Sequence, residues 1–180
     1  MLNSSRSRRI PALLLGLLIA AGGAVATAAP AHAAGPLLVQ CAGTEQDTFT
    51  PPIRSTQQTI TVRVHATLLC PLNGVVTSAT LDYTYTHIGL SCTNAGTGGP
   101  GSLPIRWSNG QNSTFQFNVD VTLVNGTYVV RKIGFISSGL FTGYNAVRLL
   151  PGINPNVGAC TSPAGLGASG GATTLTLTGL

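Results

Sequence analysis

Residues 58–70 read QTITVRVHATLLC, and this stretch decides the fold class. Apolar and polar side chains alternate along it, which is the period of a β-strand with one buried face. Asn73-Gly74 follows, and this dipeptide favours the positive φ angles of a two-residue hairpin turn. A hairpin closed there pairs the apolar residues of 58–70 with those of 79–87 and sets His65 opposite Asp82. The sequence therefore predicts an antiparallel hairpin with one apolar face.

A second hairpin is predicted around Asn125-Gly126, between two further alternating stretches. This turn sets Asp120 opposite Arg131, an opposite-charge pair across the two strands. Lys132 then falls on the apolar face, which a bulge or an edge position would explain.

More strand-like stretches lie between Gly, Pro and Asn turns, at residues 37–50, 103–108, 140–150 and 173–178. An odd-length loop at Asn109-Gly110 is expected to pair Ile105 with Phe115, because that pairing keeps the apolar faces together. Many short strands without helical periodicity predict an all-β sandwich or barrel. Since aromatics point inward and threonines outward, as in a secreted sandwich, we expect an antiparallel β-sandwich of about eight strands. The low-complexity residues 162–172 are interpreted as a surface loop.

The N-terminus has the pattern of a secretory signal peptide. Three arginines precede a long uncharged run rich in Leu and Ala, and Ala31-His32-Ala33 supplies a small-x-small cleavage site. We expect cleavage between Ala33 and Ala34. Residues 1–33 are then the signal peptide, and residues 34–180 form a single exported domain.

Two alternatives stay open at this terminus. One is cleavage after Ala26-Thr27-Ala28, and the other is an uncleaved anchor, since about 20 apolar residues can span a bilayer. Gly22, Gly23 and Pro30 weaken a helix where a cleavage region should be extended, which favours cleavage. We therefore expect a secreted, extracellular protein with no stable membrane anchor after processing.

Composition and charge exclude several classes of function. The chain has 180 residues, of which 43% are hydrophobic and 7% are charged. Residues 34–180 hold six basic and four acidic side chains, a net charge of +2, and these are scattered. Scattered charges form no stripe that neutralises a run of phosphates, so no nucleic-acid partner is expected. The regular apolar alternation excludes intrinsic disorder.

All four cysteines lie in the exported part, where an even number indicates two disulfides. Their spacing matches neither a zinc site nor a C-x-x-C redox motif, so no metal and no cofactor are expected. If the first strand folds back at Pro51-Pro52, Cys41 and Cys70 reach the same end of the sandwich. Cys92 lies a full strand length from Cys70, too far for a bridge. We therefore predict bridges from Cys41 to Cys70 and from Cys92 to Cys160.

Two strings match functional patterns in an unsuitable context. The G-x-S-x-G string at 167–171 would put Ser169 on a nucleophile elbow, but no Asp or His follows it. The G-x-G-x-x-G string at 96–101 would hold a pyrophosphate, but the strand-like residues 105–107 follow it where a helix is required. Both strings are interpreted as loops.

Other candidate residues also have a structural interpretation. His65 with Asp82 would orient an imidazole as a general base, but an exposed cross-strand pair is the favoured reading. Trp107 with Tyr144 would form a sugar-stacking platform, but a lone tryptophan in a strand is usually part of the core. His87 is expected to be packed or at an edge. No catalytic, cofactor-binding or metal-ligating residue is assigned.

Several strings resemble a family of small secreted actinobacterial proteins, similar to those of Streptomyces. They are Cys41-Ala42-Gly43-Thr44, Pro51-Pro52, Ser91-Cys92, the stretch IRWSNGQNS at 105–113, SGLFTG at 138–143, and Cys160 before a Thr-Leu-Thr strand. The similarity covers nearly all of residues 34–180. The resemblance implies an immunoglobulin-like sandwich to which no activity is assigned, so no functional residue is carried over.

We expect a non-catalytic extracellular binding module rather than an enzyme. Loops on a rigid, disulfide-linked scaffold would bind a protein, a glycan or a cell-wall ligand. A protease inhibitor that presents an extended loop at residues 94–103 is a sharper form of this hypothesis. The alternative is a small secreted hydrolase, for which His65 and Asp82 are the residues to test.

Overall fold

A computed structural model of the chain describes residues 38–72, 74–93, 98–124, 127–153 and 157–179. The signal peptide predicted for residues 1–33 and its cleavage site between Ala33 and Ala34 lie outside these residues. The turn residues Asn73 and Asn125-Gly126 lie outside them as well.

The described residues form eight β-strands and one short helix. The strands are β1 (Leu38–Ile53), β2 (Gln58–Leu69), β3 (Ser78–Leu90), β4 (Pro100–Trp107), β5 (Asn112–Val124), β6 (Thr127–Gly139), β7 (Asn145–Ile153) and β8 (Leu166–Thr178). The helix α1 (Val157–Thr161) lies between β7 and β8. Helix α1 has only five residues, so the predicted all-β class is confirmed.

The eight strands close into one antiparallel barrel and do not form a sandwich. Each strand pairs with its neighbours along the chain, and β1 also pairs with β8. That last ladder runs from Leu38 opposite Thr178 to Thr48 opposite Ala168. The predicted immunoglobulin-like sandwich is therefore wrong. Inward and outward positions alternate in the same way in both architectures, so the alternation alone does not distinguish them.

The two predicted hairpin registers are confirmed. In β2 and β3, Ile60 pairs with His87 and His65 pairs with Asp82. In β5 and β6, Asp120 pairs with Arg131, and a bulge shifts the register only beyond Phe115.

The strand register across the third turn, between β4 and β5, is shifted by two residues from the prediction. Ile105 pairs with Ser113, and it is Leu103 that pairs with Phe115. The loop contains three residues, 108–110, and Gly110 has φ of 82°. Three-residue hairpin loops need a left-handed residue at this position, and Gly110 supplies it.

Strand β8 begins earlier than the sequence predicts. Residues 166–172, expected in a surface loop, pair with β1 and complete the closure. Their small side chains let the two strands approach closely, since a Cβ on Gly170 would lie 2.7 Å from the backbone oxygen of Glu45. The Gly-rich composition thus serves a tight strand contact here.

One end of the barrel is filled by a hydrophobic core. The cluster contains aromatic and aliphatic side chains from all eight strands, with Trp107, Phe115, Leu81, Ile136 and Leu177 among its members. Trp107 donates a hydrogen bond of 2.7 Å from Nε1 to Oγ of Ser113. The core interpretation of the tryptophan is confirmed.

Both predicted disulfides are present. Cys41 is bridged to Cys70 at the filled end of the barrel, with Cα atoms 4.1 Å apart. Cys92 is bridged to Cys160 at the opposite end, with Cα atoms 5.8 Å apart. The second bridge ties helix α1 to the chain that follows β3. Two bridges fit an oxidising environment.

The ladder between β3 and β4 is the short one. Only Ala79 with Trp107 and Thr80 with Arg106 are paired there in the described part of the chain. Beyond these pairs, β3 continues to Leu90 and β4 begins at Pro100, so the two strands face each other without a continuous ladder. This seam lies at the end of the barrel that the hydrophobic core does not fill.

Candidate functional site

The sequence-derived candidates for catalysis lie outside the barrel. Nδ1 of His65 is 3.9 Å from Oδ2 of Asp82, and Nη2 of Arg63 is 3.4 Å from the same oxygen. All three side chains are at least half exposed. They form a surface charge group, as the favoured interpretation expects.

The two glycine-containing motifs do not form a site either. Ser169 lies within β8, so the G-x-S-x-G string is part of a strand and neither an elbow nor the predicted loop. Residues 100 and 101 of the second motif begin β4, and residues 94–97 lie outside the description. Because residues 100–103 are paired with β5, the stretch 94–103 is not an extended loop throughout.

The main feature of the molecule is a cavity inside the barrel. Its volume is about 590 Å³, which falls within the usual range for small-molecule sites. Its walls are mostly apolar and aromatic, with side chains that include Val62, Val64, Tyr83, Tyr85, Phe117, Val119, Val121, Tyr128, Val130 and Leu150. Eight-stranded barrels either fill their interior with side chains or hold one small ligand. In this barrel, side chains fill the interior at one end, and the other end has room for one small ligand.

The cavity reaches the surface along the seam between β3 and β4. His87 and Ile88 line it from β3, and residues 100–102 line it from β4, together with Gly99 just before that strand. Ile88 is 81% exposed. The Nδ1 atom of His87 lies 3.1 Å from the carbonyl oxygen of Ile88.

Four charged side chains point into the barrel. Six of the ten charged residues after residue 33 are exposed, whereas Glu45, Asp47, Lys132 and Arg148 occupy inward positions. Two are acidic and two are basic, so together they carry no net charge when all are ionised. Burying charges is costly unless they are paired, which makes this cluster a candidate functional feature.

Lys132 is the centre of the polar group that lines the cavity. It projects inward from β6, is 8% exposed, and donates a hydrogen bond of 3.0 Å from Nζ to Oη of Tyr83. Nζ also lies 5.7 Å from the centre of the Tyr83 ring and 5.3 Å from that of Phe117. These rings offer cation–π contacts that compensate for part of the lost hydration. The unexplained inward lysine of the second hairpin is thus neither at a bulge nor at an edge.

Asp47 lines the same cavity from β1. Burial raises the pKa of its carboxyl group to about 6, and the positive charge of Lys132 opposes part of this rise. Its Oδ1 atom is buried and has no hydrogen-bond partner among the described residues. An acceptor is therefore available to a bound molecule.

The same burial changes the basicity of the neighbouring groups. Burial lowers the pKa of Lys132 from 10.5 to about 8, although the charge of Asp47 opposes the change. Burial also raises the pKa of Tyr83 well above its usual range, and that of Tyr85 to about 12. Both phenols therefore stay neutral at physiological pH and can act as hydrogen-bond donors.

A buried ion pair adjoins the cavity, and its carboxylate member, Glu45, lines the cavity wall. The guanidinium of Arg148, on β7, forms an ion pair with Glu45, and both side chains are almost completely buried. Nε and Nη1 of Arg148 have no hydrogen-bond partner in the described part of the protein. Arg148 pairs across the strands with Lys132, so two cations lie side by side, and Lys132 is the one that lines the cavity.

Sequence reasoning missed this site, although a signal was present. Lys132 fell on the apolar face of a correctly predicted register. Glu45 and Asp47 occupy the same alternating positions of β1 as Cys41, and Arg148 lies between the inward residues Ala146 and Leu150. Charged residues at inward positions of three different strands indicate a polar interior site.

No helix within the described ranges is long and apolar enough to cross a bilayer. Nor do three or more His, Cys, Asp or Glu side chains of those residues cluster in a way that would hold a metal ion.

Comparisons with known proteins add no relatives. No protein-family model, no curated protein and no solved structure matches this chain.

Proposed function

We propose that this protein is an extracellular binding protein that holds one small, largely apolar molecule in its barrel cavity. The observation that carries the proposal is the cavity of about 590 Å³, with apolar and aromatic walls and a buried polar group formed by Lys132, Tyr83 and Asp47. Pockets of this kind use apolar walls for affinity and a few polar groups for orientation.

The chemistry of the cavity selects a class of ligand. Since the inward charges balance, a neutral molecule enters without creating an uncompensated charge. Lys132 and Tyr83 offer donors, and Asp47 offers an acceptor, so the polar end should carry a carbonyl or hydroxyl group. A protein or a cell-wall polymer is too large for this volume, so a small molecule is favoured among the expected partners.

Secretion is part of the proposal. The pattern of residues 1–33 supports export, and the two disulfides support an oxidising compartment. The hydrolase alternative has less support, because His65 and Asp82 lie on the outer surface, away from the cavity. The inhibitor hypothesis also has less support, because residues 100–103 of its proposed extended loop belong to strand β4.

The binding test uses two adjacent residues of β5. Val121 lines the cavity, whereas Thr122 is exposed on the outside of the same strand. The neutral fluorophore phenylnaphthylamine should bind the wild-type protein with enhanced fluorescence. The substitution Val121→Trp fills the cavity and should weaken this binding by at least about tenfold, or ~1.4 kcal/mol.

The matched control is Thr122→Trp, which adds the same indole outside the barrel and should leave the affinity unchanged. Equal binding by the wild type and the Val121→Trp variant would place the probe elsewhere and contradict the proposal. Failure of the wild type to bind any neutral apolar probe would do the same.

A further inference from the structure

Lys132 is the only lysine in the chain of 180 residues. All other basic side chains are arginine or histidine, and the arginines after residue 33 other than Arg148 are exposed. A protein that carries its single lysine inside a ligand cavity presents one primary amine to whatever binds there.

The surroundings of this amine suit a reaction with a carbonyl group. The walls around it are mostly apolar, Tyr83 is within hydrogen-bond distance of Nζ, and Asp47 lines the same cavity with an unpartnered carboxyl oxygen. Amines in such pockets are activated because desolvation favours their neutral form. Arginine in the same place would supply charge and donors but no nucleophile.

From this arrangement we propose that Lys132 binds an apolar aldehyde or ketone covalently, as a Schiff base within the barrel cavity. This inference rests on the proposed function and names the reactive group of its ligand. It requires no oxidant, reductant or metal ion, because the formation of an imine from a carbonyl and an amine releases only water.

The acid–base properties of the cavity support the reaction. With a pKa of about 8, roughly a tenth of the Lys132 amine is neutral at pH 7, whereas an exposed lysine is neutral to only ~0.03%. The carboxyl group of Asp47, with a pKa of about 6, can both release and accept a proton near neutrality.

The step balances as follows. The lone pair of Nζ attacks the carbonyl carbon, a C–N bond forms, and the π electrons of the carbonyl move to its oxygen. A proton passes from nitrogen to that oxygen and gives a carbinolamine. Protonated Asp47 then gives its proton to the hydroxyl group, which leaves as water while the nitrogen lone pair forms the C=N bond. The product is a protonated imine that faces the Asp47 carboxylate, so the charge of the cavity is unchanged.

The test uses reductive trapping of the full, folded protein. Octanal is the apolar probe, sodium cyanoborohydride reduces any imine, and peptide mapping by mass spectrometry locates the adduct. The only other primary amine is the N-terminus, which serves as an internal reference. At low octanal concentration, we expect Lys132 to be modified at least about tenfold faster than the N-terminus, because binding holds the carbonyl beside Nζ.

Two controls make the result specific. Glycolaldehyde, which is small and hydrophilic, should show no preference for Lys132. Excess phenylnaphthylamine should suppress the modification of Lys132 by octanal but not that of the N-terminus. The variant Lys132→Met should lose the internal adduct while circular dichroism shows the β-rich spectrum and cooperative melting of a folded barrel.

The outcomes separate the two proposals. If phenylnaphthylamine binds inside the cavity but octanal modifies Lys132 no faster than the N-terminus, the Schiff-base proposal is overturned and the binding proposal stands. If the fluorophore does not bind and Lys132 does not react, both are overturned.

Discussion

At the scale of single residues, Arg148 and Glu45 illustrate the free-energy cost of burying charges inside the barrel. Both are almost completely buried, they form an ion pair, and Glu45 also lines the cavity. Removing two charges from water is expensive, and the attraction between them recovers that cost only in part. Such a pair is weak evidence for stability and better evidence for a role in the site.

The first prediction concerns this pair. Arg148→Met should lower the free energy of unfolding by about 3–5 kcal/mol, because it leaves the Glu45 carboxylate buried without its partner. The double variant Glu45→Leu with Arg148→Met should recover most of that loss, since it removes both charges. Urea unfolding of the single and double variants measures both values. Additive losses in the double variant would show that the two side chains are not energetically coupled.

Asp47 gives the second prediction, which concerns pH. Its pKa is about 6 in the folded barrel and 3.8 without burial, so the folded protein holds this proton more tightly than the unfolded chain. Stability attributable to this group therefore falls as pH rises from about 3.8 to 6, and the full penalty is present above pH 6. Asp47→Asn should raise the unfolding free energy by about 1–2 kcal/mol at pH 7.5 and change it little at pH 4.

The exposed Asp120 supplies the control for this experiment. Asp120→Asn makes the same chemical change on the outer face of β5 and should alter stability by less than about 1 kcal/mol at either pH. An Asp47→Asn variant that is less stable than the wild type at pH 7.5 would mean that the ionised carboxylate is well compensated.

Residue-level prediction succeeded where a local rule decides the outcome. The pairing of His65 with Asp82 and of Asp120 with Arg131 follows from the position of a tight turn and the two-residue period of a strand. The roles of Lys132 and Arg148 could not be derived in the same way. A charged residue at an inward position can mean that the predicted strand register is wrong or that the residue belongs to a site. Which of the two holds depends on the side chains that the other strands place opposite it.

At the scale of elements, the curvature of strands β5 and β6 depends on Gly134. This residue lies in the middle of β6, opposite Phe117. A Cβ at this position would overlap the backbone oxygen of Gln116. Glycines of this kind let a strand coil tightly enough to close a barrel.

The third prediction follows from this contact. Gly134→Ala should destabilise the protein by about 1–3 kcal/mol, because the strands must separate to admit the methyl group. Gly99→Ala is the matched control, since a Cβ at Gly99 meets no atom within 4 Å. Thermal denaturation followed by circular dichroism compares the two variants. Equal stability of both would show that β6 can shift without loss of packing.

Strand β8 explains why the architecture was mispredicted. Its first half, residues 166–172, consists mainly of glycine and alanine, a composition typical of loops. In the structure these residues pair with β1, and that ladder closes the barrel. A contact between the first and last strands has no local turn to signal it, so periodicity alone favoured a sandwich and a barrel equally.

On the scale of the whole molecule, the barrel is divided into a filled end and an open end. The disulfide between Cys41 and Cys70 lies at the filled end, and the bridge between Cys92 and Cys160 lies at the open end. The all-β class and both bridges were predictable, because strand lengths fix which cysteines can meet. The cavity was not, because it is the space that the side chains of eight strands leave between them.

The resemblance to secreted actinobacterial proteins stays a prediction, as does export itself. The central claim concerns the interior, where the only lysine of the chain lines a cavity that we propose small apolar molecules enter. This statement distinguishes a binding protein from a barrel whose interior serves stability alone.

The most direct measurement is an NMR titration of the protein labelled with a carbon isotope at the ε position of lysine. A single lysine gives a single resonance. The account predicts a titration midpoint near pH 8 and a change in this resonance when phenylnaphthylamine is added. A midpoint near pH 10.5, the pKa of an exposed lysine, together with a resonance that does not change when the fluorophore is added, would contradict it.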